Sequence, residues 1–528
     1  FTQQPTMQTV RWGDTATIKC AATGAPSIAY QWLKNGQPIT GATSNTLVIP
    51  EVQPADQGSY TVTISAGPYT YESYAAPLVI VGGRGWQWAT RVGGVENDSA
   101  LGVAVGINGI WTSGEYNGQF IRRYSKTGQI VSTTQITSNG DGAASIALDG
   151  AGNMFVGANL EITTPKYSRP GLLQKRKLDG TLIWSRSFGT EKGGAETPNG
   201  YGEALAVVPD GAGNVLVGGY YQGRGKFGTI IGGIAGDEGM RGFVAKYDSA
   251  GNVVWLRDMN SQDDADDCYV KDVAVDGLGD VYVCGSLGIN GRIQRSATST
   301  DRTASLANSY RRPFLVKYNS AGTMLWTYLP DQMGSFLGVE VDALGGVWTT
   351  GYIGSDEDIT SRSGMLAKLN RLNGAAVQSV IVPDVTGCVI RTEGLSAFWL
   401  AMDASGESTI NGVTWGTSCY RCINFGSLNI DLGNIAWEVP AFGGLGARSD
   451  EADARVSPDG SVTLALNFTT SSFSNRVHFP KRGTYSQAGR ARDGWIAQIG
   501  ELPTITTQPQ SILVAKNSLS HIGLTTGG

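Results

Sequence analysis

Histidine is nearly absent: the 528 residues hold two, His478 and His521, far apart in the chain. That removes most zinc chemistry and leaves no partner set for histidine-based acid–base or triad catalysis. Charge is sparse as well. Asp, Glu, Lys and Arg make up 16% of the residues, against roughly 25% in an ordinary soluble domain, which excludes coiled coils and long charged helices. The 40 basic and 45 acidic residues leave a net charge of −5, so no polyanion is implied as a partner and nucleic acid is excluded. No apolar run approaches the roughly 18 residues needed to cross a bilayer, so no membrane span is expected. The chain opens at Phe1 without a basic-then-apolar leader and reads as a processed or excerpted chain. Six cysteines (Cys20, Cys268, Cys284, Cys388, Cys419, Cys422) are too few to frame the fold. Cys268 with Cys284, Cys419 with Cys422, or Cys388 with either of the last two could bridge.

What the chain has is glycine, 74 residues, with an apolar fraction of 41% that rules out disorder. Glycine beside many Val, Ile, Thr, Tyr and Trp favours short strands joined by tight turns. In the first 80 residues, Thr15-Ala-Thr-Ile-Lys-Cys20 alternates as a half-buried strand does, and Asn35-Gly36 marks a hairpin turn. Cys20, Trp32 and the corner Asp56-Gln-Gly-Ser-Tyr60 together resemble an immunoglobulin-like sandwich over residues 1–83. Val62 stands where such domains usually carry the second Cys, so Cys20 is expected to pack unbridged against Trp32 and Val62.

From residue 84 to 502 the chain repeats itself. One phrase, Phe243-Val-Ala-Lys-Tyr-Asp248-Ser-Ala-Gly251-Asn-Val-Val-Trp255, returns as Phe314-Leu-Val-Lys-Tyr-Asn319-Ser-Ala-Gly322-Thr-Met-Leu-Trp326. A second, Val273-Ala-Val-Asp276-Gly-Leu-Gly279-Asp-Val-Tyr-Val, precedes it as a hairpin. Each unit reads as four short strands about 60 residues apart, with third strands near Phe120, Leu173, Phe243, Phe314, Met365, Ile423 and Trp495. The last unit lacks its fourth strand, which Gly85–Val92 supplies from the front. The pattern resembles the seven-bladed repeat family of bacterial secreted proteins. It implies an all-β chain: an immunoglobulin-like sandwich followed by a seven-bladed β-propeller closed by an N-terminal D strand. Residues 503–528 repeat the opening of the first domain, as Ile505-Thr-Thr-Gln-Pro509 against Phe1-Thr-Gln-Gln-Pro5. They begin a second immunoglobulin-like domain or form an assembly strand, with self-association through 505–516.

In a propeller the long second-to-third-strand loops gather on one face, where recognition usually sits. Tyr220, Tyr221, Tyr310 and Tyr352 fall there and could stack on sugar rings or cover blade edges. Asp263, Asp264, Asp266 and Asp267 form the one acidic run suited to Ca²⁺, the only cofactor the chain suggests. The Asp-x-x-Gly-Asn turns instead read as Asp-capped turns, because five-residue loops offer too few oxygens for calcium. The Trp of the repeat also resembles the docking tryptophan of quinoprotein propellers, which implies that Trp184, Trp255 and Trp326 lock neighbouring units. No catalytic motif is present. The leading expectation is a non-catalytic secreted or cell-surface adhesion protein meeting protein or glycan ligands and assembling into a filament. A secreted carbohydrate-active enzyme working at the propeller funnel is the alternative.

Overall fold

The computed structural model describes residues 1–403 apart from 12–14, 25–27, 51, 53–55, 57, 68, 82–83, 94–97, 117, 138–143, 163–167, 191–200, 234–238, 262–265, 299–301, 305–310, 356–361, 384 and 394–395. Beyond 403 it describes 452–459, 461–469, 492–501 and the other strands named below. The chain is all-β and forms two compact units, one of residues 1–85 with 436–438 and 501–528, the other of 86–435 with 439–500.

The first unit packs one sheet against a two-stranded ribbon, Ala16–Lys19 with Thr46–Ile49. In the larger sheet, Ala29–Lys34 pairs with Gly58–Ala66 so that Trp32 lies directly opposite Val62. Cys20, Trp32, Tyr60 and Val62 are all buried in one cluster, and Cys20 is an unbridged thiol, as its missing partner implies. Tyr60 Oη donates to the Asp56 carbonyl at 2.7 Å. Burial, with Asp56 adding to it, pushes the Tyr60 phenol up to about 12. This corner is the tyrosine corner of immunoglobulin-like sandwiches. A separate pair, Thr504–Thr507 with Thr525–Gly527, is antiparallel; residues 508–524 lie outside the described residues.

In the second unit the described residues form seven antiparallel sheets, each built on four strands in chain order, and none closes on itself. Sheet 1 runs Ser99–Gly106, Gly109–Glu115, Gln119–Tyr124 and Ile130–Thr137. Sheets 2 to 6 begin at Ser145–Leu148, Gly202–Pro209, Tyr269–Val275, Gly334–Val341 and Val385–Glu393. Sheets 2 and 3 each carry an added hairpin at the fourth strand. Sheet 7 is Asp453–Val456, Val462–Thr469 and Arg492–Glu501, and its fourth strand is Arg84–Val92, from the other end of the chain.

Apolar clusters join sheets 1 to 2, 2 to 3, 3 to 4, 4 to 5, 6 to 7 and 7 to 1, and Trp399 Nε1–H of sheet 6 donates to Thr350 Oγ1 of sheet 5 at 2.8 Å. In the cluster of sheets 7 and 1, Ala465 and Ile496 pack with Val92, Ala100 and Phe120. Asn467 clasps Ala100 through two bonds, 2.9 Å to its N–H and 2.7 Å to its carbonyl. Tryptophans stitch the outer strands together. Trp88, Trp184, Trp255 and Trp326 each donate Nε1–H to a turn carbonyl of the next sheet, at Lys126, Ser249, Ser320 and Arg371, at 2.9–3.1 Å. The repeat's Trp is therefore structural, as the docking resemblance implied. Each turn presents a glycine at positive φ to that indole. A Cβ on Gly322 (φ +78°) would sit 2.8 Å from the Trp255 ring.

The Asp-x-x-Gly-Asn turns hold no room for a metal role. Asp149, Asp210 and Asp248 each accept backbone N–H bonds from two and four residues on. A first prediction concerns these turns. Gly322→Ala is expected to lose about 1–3 kcal/mol from backbone strain, more once the indole must move. Gly277→Ala, where the added carbon meets open space, should be near neutral. Urea denaturation of both variants checks this, and equal stabilities would contradict the docking role.

Candidate functional site

The first strands of the seven sheets surround one cavity of about 630 Å³. Its shape comes from a recurring irregularity. In sheets 1, 3, 4, 5 and 6 the pairing of first and second strands skips one residue: Leu101, Leu205, Lys271, Leu337 and Cys388 respectively. A bulge re-aims the extra side chain, and all five line the cavity. Ala144 and Ala452 hold the matching place in sheets 2 and 7, which completes a layer with one residue from each sheet. Three positions further on lies a second layer. Sheets 1 to 4 contribute Ala104, Ala147, Val208 and Ala274, whereas sheets 5 to 7 contribute Glu340, Arg391 and Arg455.

Between the layers, side chains tie each first strand to a neighbour. Val207 N–H donates to Ser145 Oγ (3.2 Å), Val339 N–H to Asp272 Oδ2 (3.2 Å) and Val103 N–H to Asp453 Oδ2 (3.0 Å). The last of these joins sheet 7 to sheet 1. Arg391 holds the charged side of the cavity together. Its Nη1 meets Asp272 at 3.2 Å and Glu340 at 3.9 Å, and its Nη2 meets Asp453 at 2.9 Å. Its Nε donates to the Ala454 carbonyl at 3.0 Å. Asp453 Oδ1 also takes Arg455 Nη1 at 2.6 Å. Burial alone would weaken the Arg391 cation, but Asp272, Asp453 and Glu340 together outweigh it and hold its pKa above the ordinary value. Glu340 is also raised: burial lifts its carboxyl despite Arg391.

The tyrosines offered for sugar stacking or edge cover take up different places. Tyr221 is 0% exposed and packs edge-on to Phe227 at 5.3 Å. Tyr352 is buried with the Arg362 guanidinium 3.9 Å above its ring. Tyr220 lines the cavity, edge-on to Tyr269 at 5.1 Å, and donates to Glu203 Oε2 at 2.6 Å. Burial and then Glu203 hold its phenol above the usual range. Tyr310 lies outside the described residues. The physical reason is alternation: these rings sit at strand ends, where half the side chains turn inward. Large exposed aromatics occur instead in the first unit, at Tyr69, Tyr71 and Tyr74.

Of the acidic run, two members have described partners. Asp263 and Asp264 lie outside the described residues. Asp266 accepts the Ile289 N–H (2.6 Å) and Arg311 Nη2 (3.1 Å), and Asp267 accepts the Met240 N–H (2.9 Å) and Tyr269 Oη (2.8 Å). These carboxylates already fasten loop to strand, whereas Ca²⁺ needs six to eight oxygens. Among the described residues no group of three or more His, Cys, Asp or Glu is placed to hold a metal. Chelation with EDTA tests the run directly: a melting temperature unchanged at neutral pH would remove the Ca²⁺ reading. A fall of several degrees that Ca²⁺ restores would support it. Cys268 and Cys284 are buried thiols without a bridge; Cys419 and Cys422 lie outside the described residues. Burial pushes the Cys268 thiol up to about 12.

Sequence reasoning missed Asp272, Glu340 and Arg391. The signal for the last two was a charge beside apolar residues within a strand, as in Val389-Ile390-Arg391 and Val339-Glu340-Val341.

Comparison with known proteins bears on the first unit. The immunoglobulin domain family matches residues 1–65. The human advanced glycosylation end product-specific receptor is 33% identical over 100 residues, covering 18% of this chain and 24% of the receptor. The human mucosa-associated lymphoid tissue lymphoma translocation protein 1 is 39% identical over 57 residues, 11% of this chain and 7% of that protein. The chain thus spans about a quarter or less of the curated relatives it matches. Among solved structures, a rhamnogalacturonan lyase aligns over 93% of this chain and 91% of its own, at 12% identity and a TM-score of 0.34. A titin I-band fragment aligns over 62% of this chain and 95% of its own, at 11% identity and a TM-score of 0.15. An immunoglobulin-like domain at the N-terminus of an all-β, multi-domain chain is what these observations establish.

Proposed function

We propose that the chain is a non-catalytic secreted or cell-surface protein of bacterial type, in which an immunoglobulin-like domain (1–83) precedes a seven-bladed β-propeller (84–502). The observation that carries the propeller is the pair of cavity layers, to which each of seven sheets contributes one residue per layer. A propeller needs separate sheets arranged in a ring, not one closed sheet, and the clusters that join sheet 6 to sheet 7 and sheet 7 to sheet 1 support that ring. The surface role draws on the immunoglobulin match and on the receptor among the relatives. Its ligands are proteins or glycans at a cell surface. Binding of the full chain to glycan and surface-protein arrays tests this, and silence on both would count against it.

The alternative, a secreted carbohydrate-active enzyme, has one observation in its favour: Asp272 and Glu340 approach the same Arg391 nitrogen in an internal cavity. Release of reducing ends from polysaccharide, lost in Glu340→Gln, would establish it. Self-association through 505–516 completes the proposal, with 503–528 as assembly strand. Sedimentation velocity should show concentration-dependent oligomers that a 505–516 deletion abolishes. Monomers in both samples would remove the filament.

A further inference from the structure

The first cavity layer is apolar in six of seven places: Leu101, Ala144, Leu205, Leu337, Cys388 and Ala452. The seventh is Lys271, the bulged residue of sheet 4. Nothing in the packing of sheet 4 requires a cation there, since three other sheets fill the same bulge with leucine. The Lys271 ammonium lies 5.0 Å from the centroid of the Tyr269 ring and has no carboxylate partner among the described residues. The charges next to it are already spoken for. Asp272 is held by Arg391 and the Val339 N–H, and Glu203 receives the Tyr220 hydroxyl. The Tyr269 ring face gives this ammonium a cation–π contact, and a cation so placed among apolar side chains gains further from an anion.

We infer that the cavity is a binding site for a small amphipathic carboxylate, whose anionic group pairs with Lys271 Nζ and whose apolar body lies against Leu101, Leu205 and Leu337. The volume is that of a small-molecule site, within the usual range of roughly 300–1,000 Å³. Selectivity over cations and neutral molecules follows from the layer itself. A neutral analogue leaves the ammonium without a counter-charge, and a cation meets it directly. Both cations of the second layer already have carboxylates: Asp272, Glu340 and Asp453 surround Arg391, and Asp453 also takes Arg455.

The test is calorimetric titration of the full chain with hexanoate, benzoate and glucuronate, each against its neutral counterpart: hexanamide, benzamide and glucose. At least one carboxylate should bind no less than tenfold more tightly than its counterpart. Lys271→Leu installs the residue used by three other sheets, so it should melt at or above the parent temperature and lose that preference. Failure of all three carboxylates to bind at millimolar concentration overturns the site, as does binding that Lys271→Leu leaves unchanged. Neither result touches the array binding on which the surface role rests, so the two readings fail separately.

Discussion

Replacing Arg391 by Ala is expected to lower the unfolding free energy by about 3–5 kcal/mol, because it strands buried carboxylates that one guanidinium now serves. Asp272 stands on sheet 4, Glu340 on sheet 5 and Asp453 on sheet 7, while Arg391 itself stands on sheet 6. One cation therefore clips four sheets around the cavity. The loss should depend on pH with a defined sign. Burial already raises the Glu340 carboxyl, and Arg391 is the group that pulls it back down. Without Arg391 that carboxyl rises further. A carboxyl whose folded pKa exceeds its unfolded value binds a proton in the folded state first, so folding gains stability as pH falls through that window. The deficit of the variant should thus be largest at neutral pH and should shrink towards the ordinary carboxylate range near pH 4–5. Denaturation curves at pH 7 and pH 5 measure this. A deficit below about 1 kcal/mol at both would show that the pairs offset only their own desolvation.

The second large effect is on closure. Deleting residues 84–92 removes the fourth strand of sheet 7 and bares the strand Arg492–Glu501 as an edge. Val92 is fully buried in the cluster joining sheets 7 and 1, and Trp88 Nε1–H bonds Gln498 Oε1 and the Lys126 carbonyl, both at 2.9 Å. Burial of a Val or larger side chain stabilises by about 1.5–3 kcal/mol, and each ladder bond adds roughly 1 kcal/mol net. The deletion is therefore expected to cost on the order of 5 kcal/mol or more and to produce aggregates through the open edge. Light scattering and thermal melting report both. A monomeric deletion variant with unchanged melting would remove the closing role.

Much of this architecture was legible in the chain, and the reason is periodic. Third strands begin close to where the repeated phrase places them, from Gln119–Tyr124 to Arg492–Glu501, because the Gly turn that follows them recurs, with a docking Trp after it at Trp184, Trp255 and Trp326. Closure from the front was legible because the last phrase stops without its Trp strand and Trp86-Gln87-Trp88 begins without a sheet. The immunoglobulin-like domain was legible because Cys20, Trp32 and Tyr60 pack as one group. The site was not. Loop aromatics suggested a surface platform, but which side of a strand Tyr221 faces depends on register, and register turned it into the core. The pairing of the cavity charges was hidden because each stands on a different sheet. Only the convergence of seven strands brings Asp272, Glu340, Arg391 and Asp453 together. Lys271 was hidden by the bulge, which shifts it out of the simple alternation used to assign faces.

The ring is the claim from which the cavity, its two layers and the carboxylate site all follow. Amide hydrogen exchange of the intact chain, followed by mass spectrometry on peptides covering 84–92 and 99–106, tests it most directly. Ring closure predicts protection of both segments comparable to that of the central strand Val462–Thr469, with all three opening together as denaturant is added. Complete exchange of residues 84–92 within seconds, while 462–469 stays protected, would contradict it.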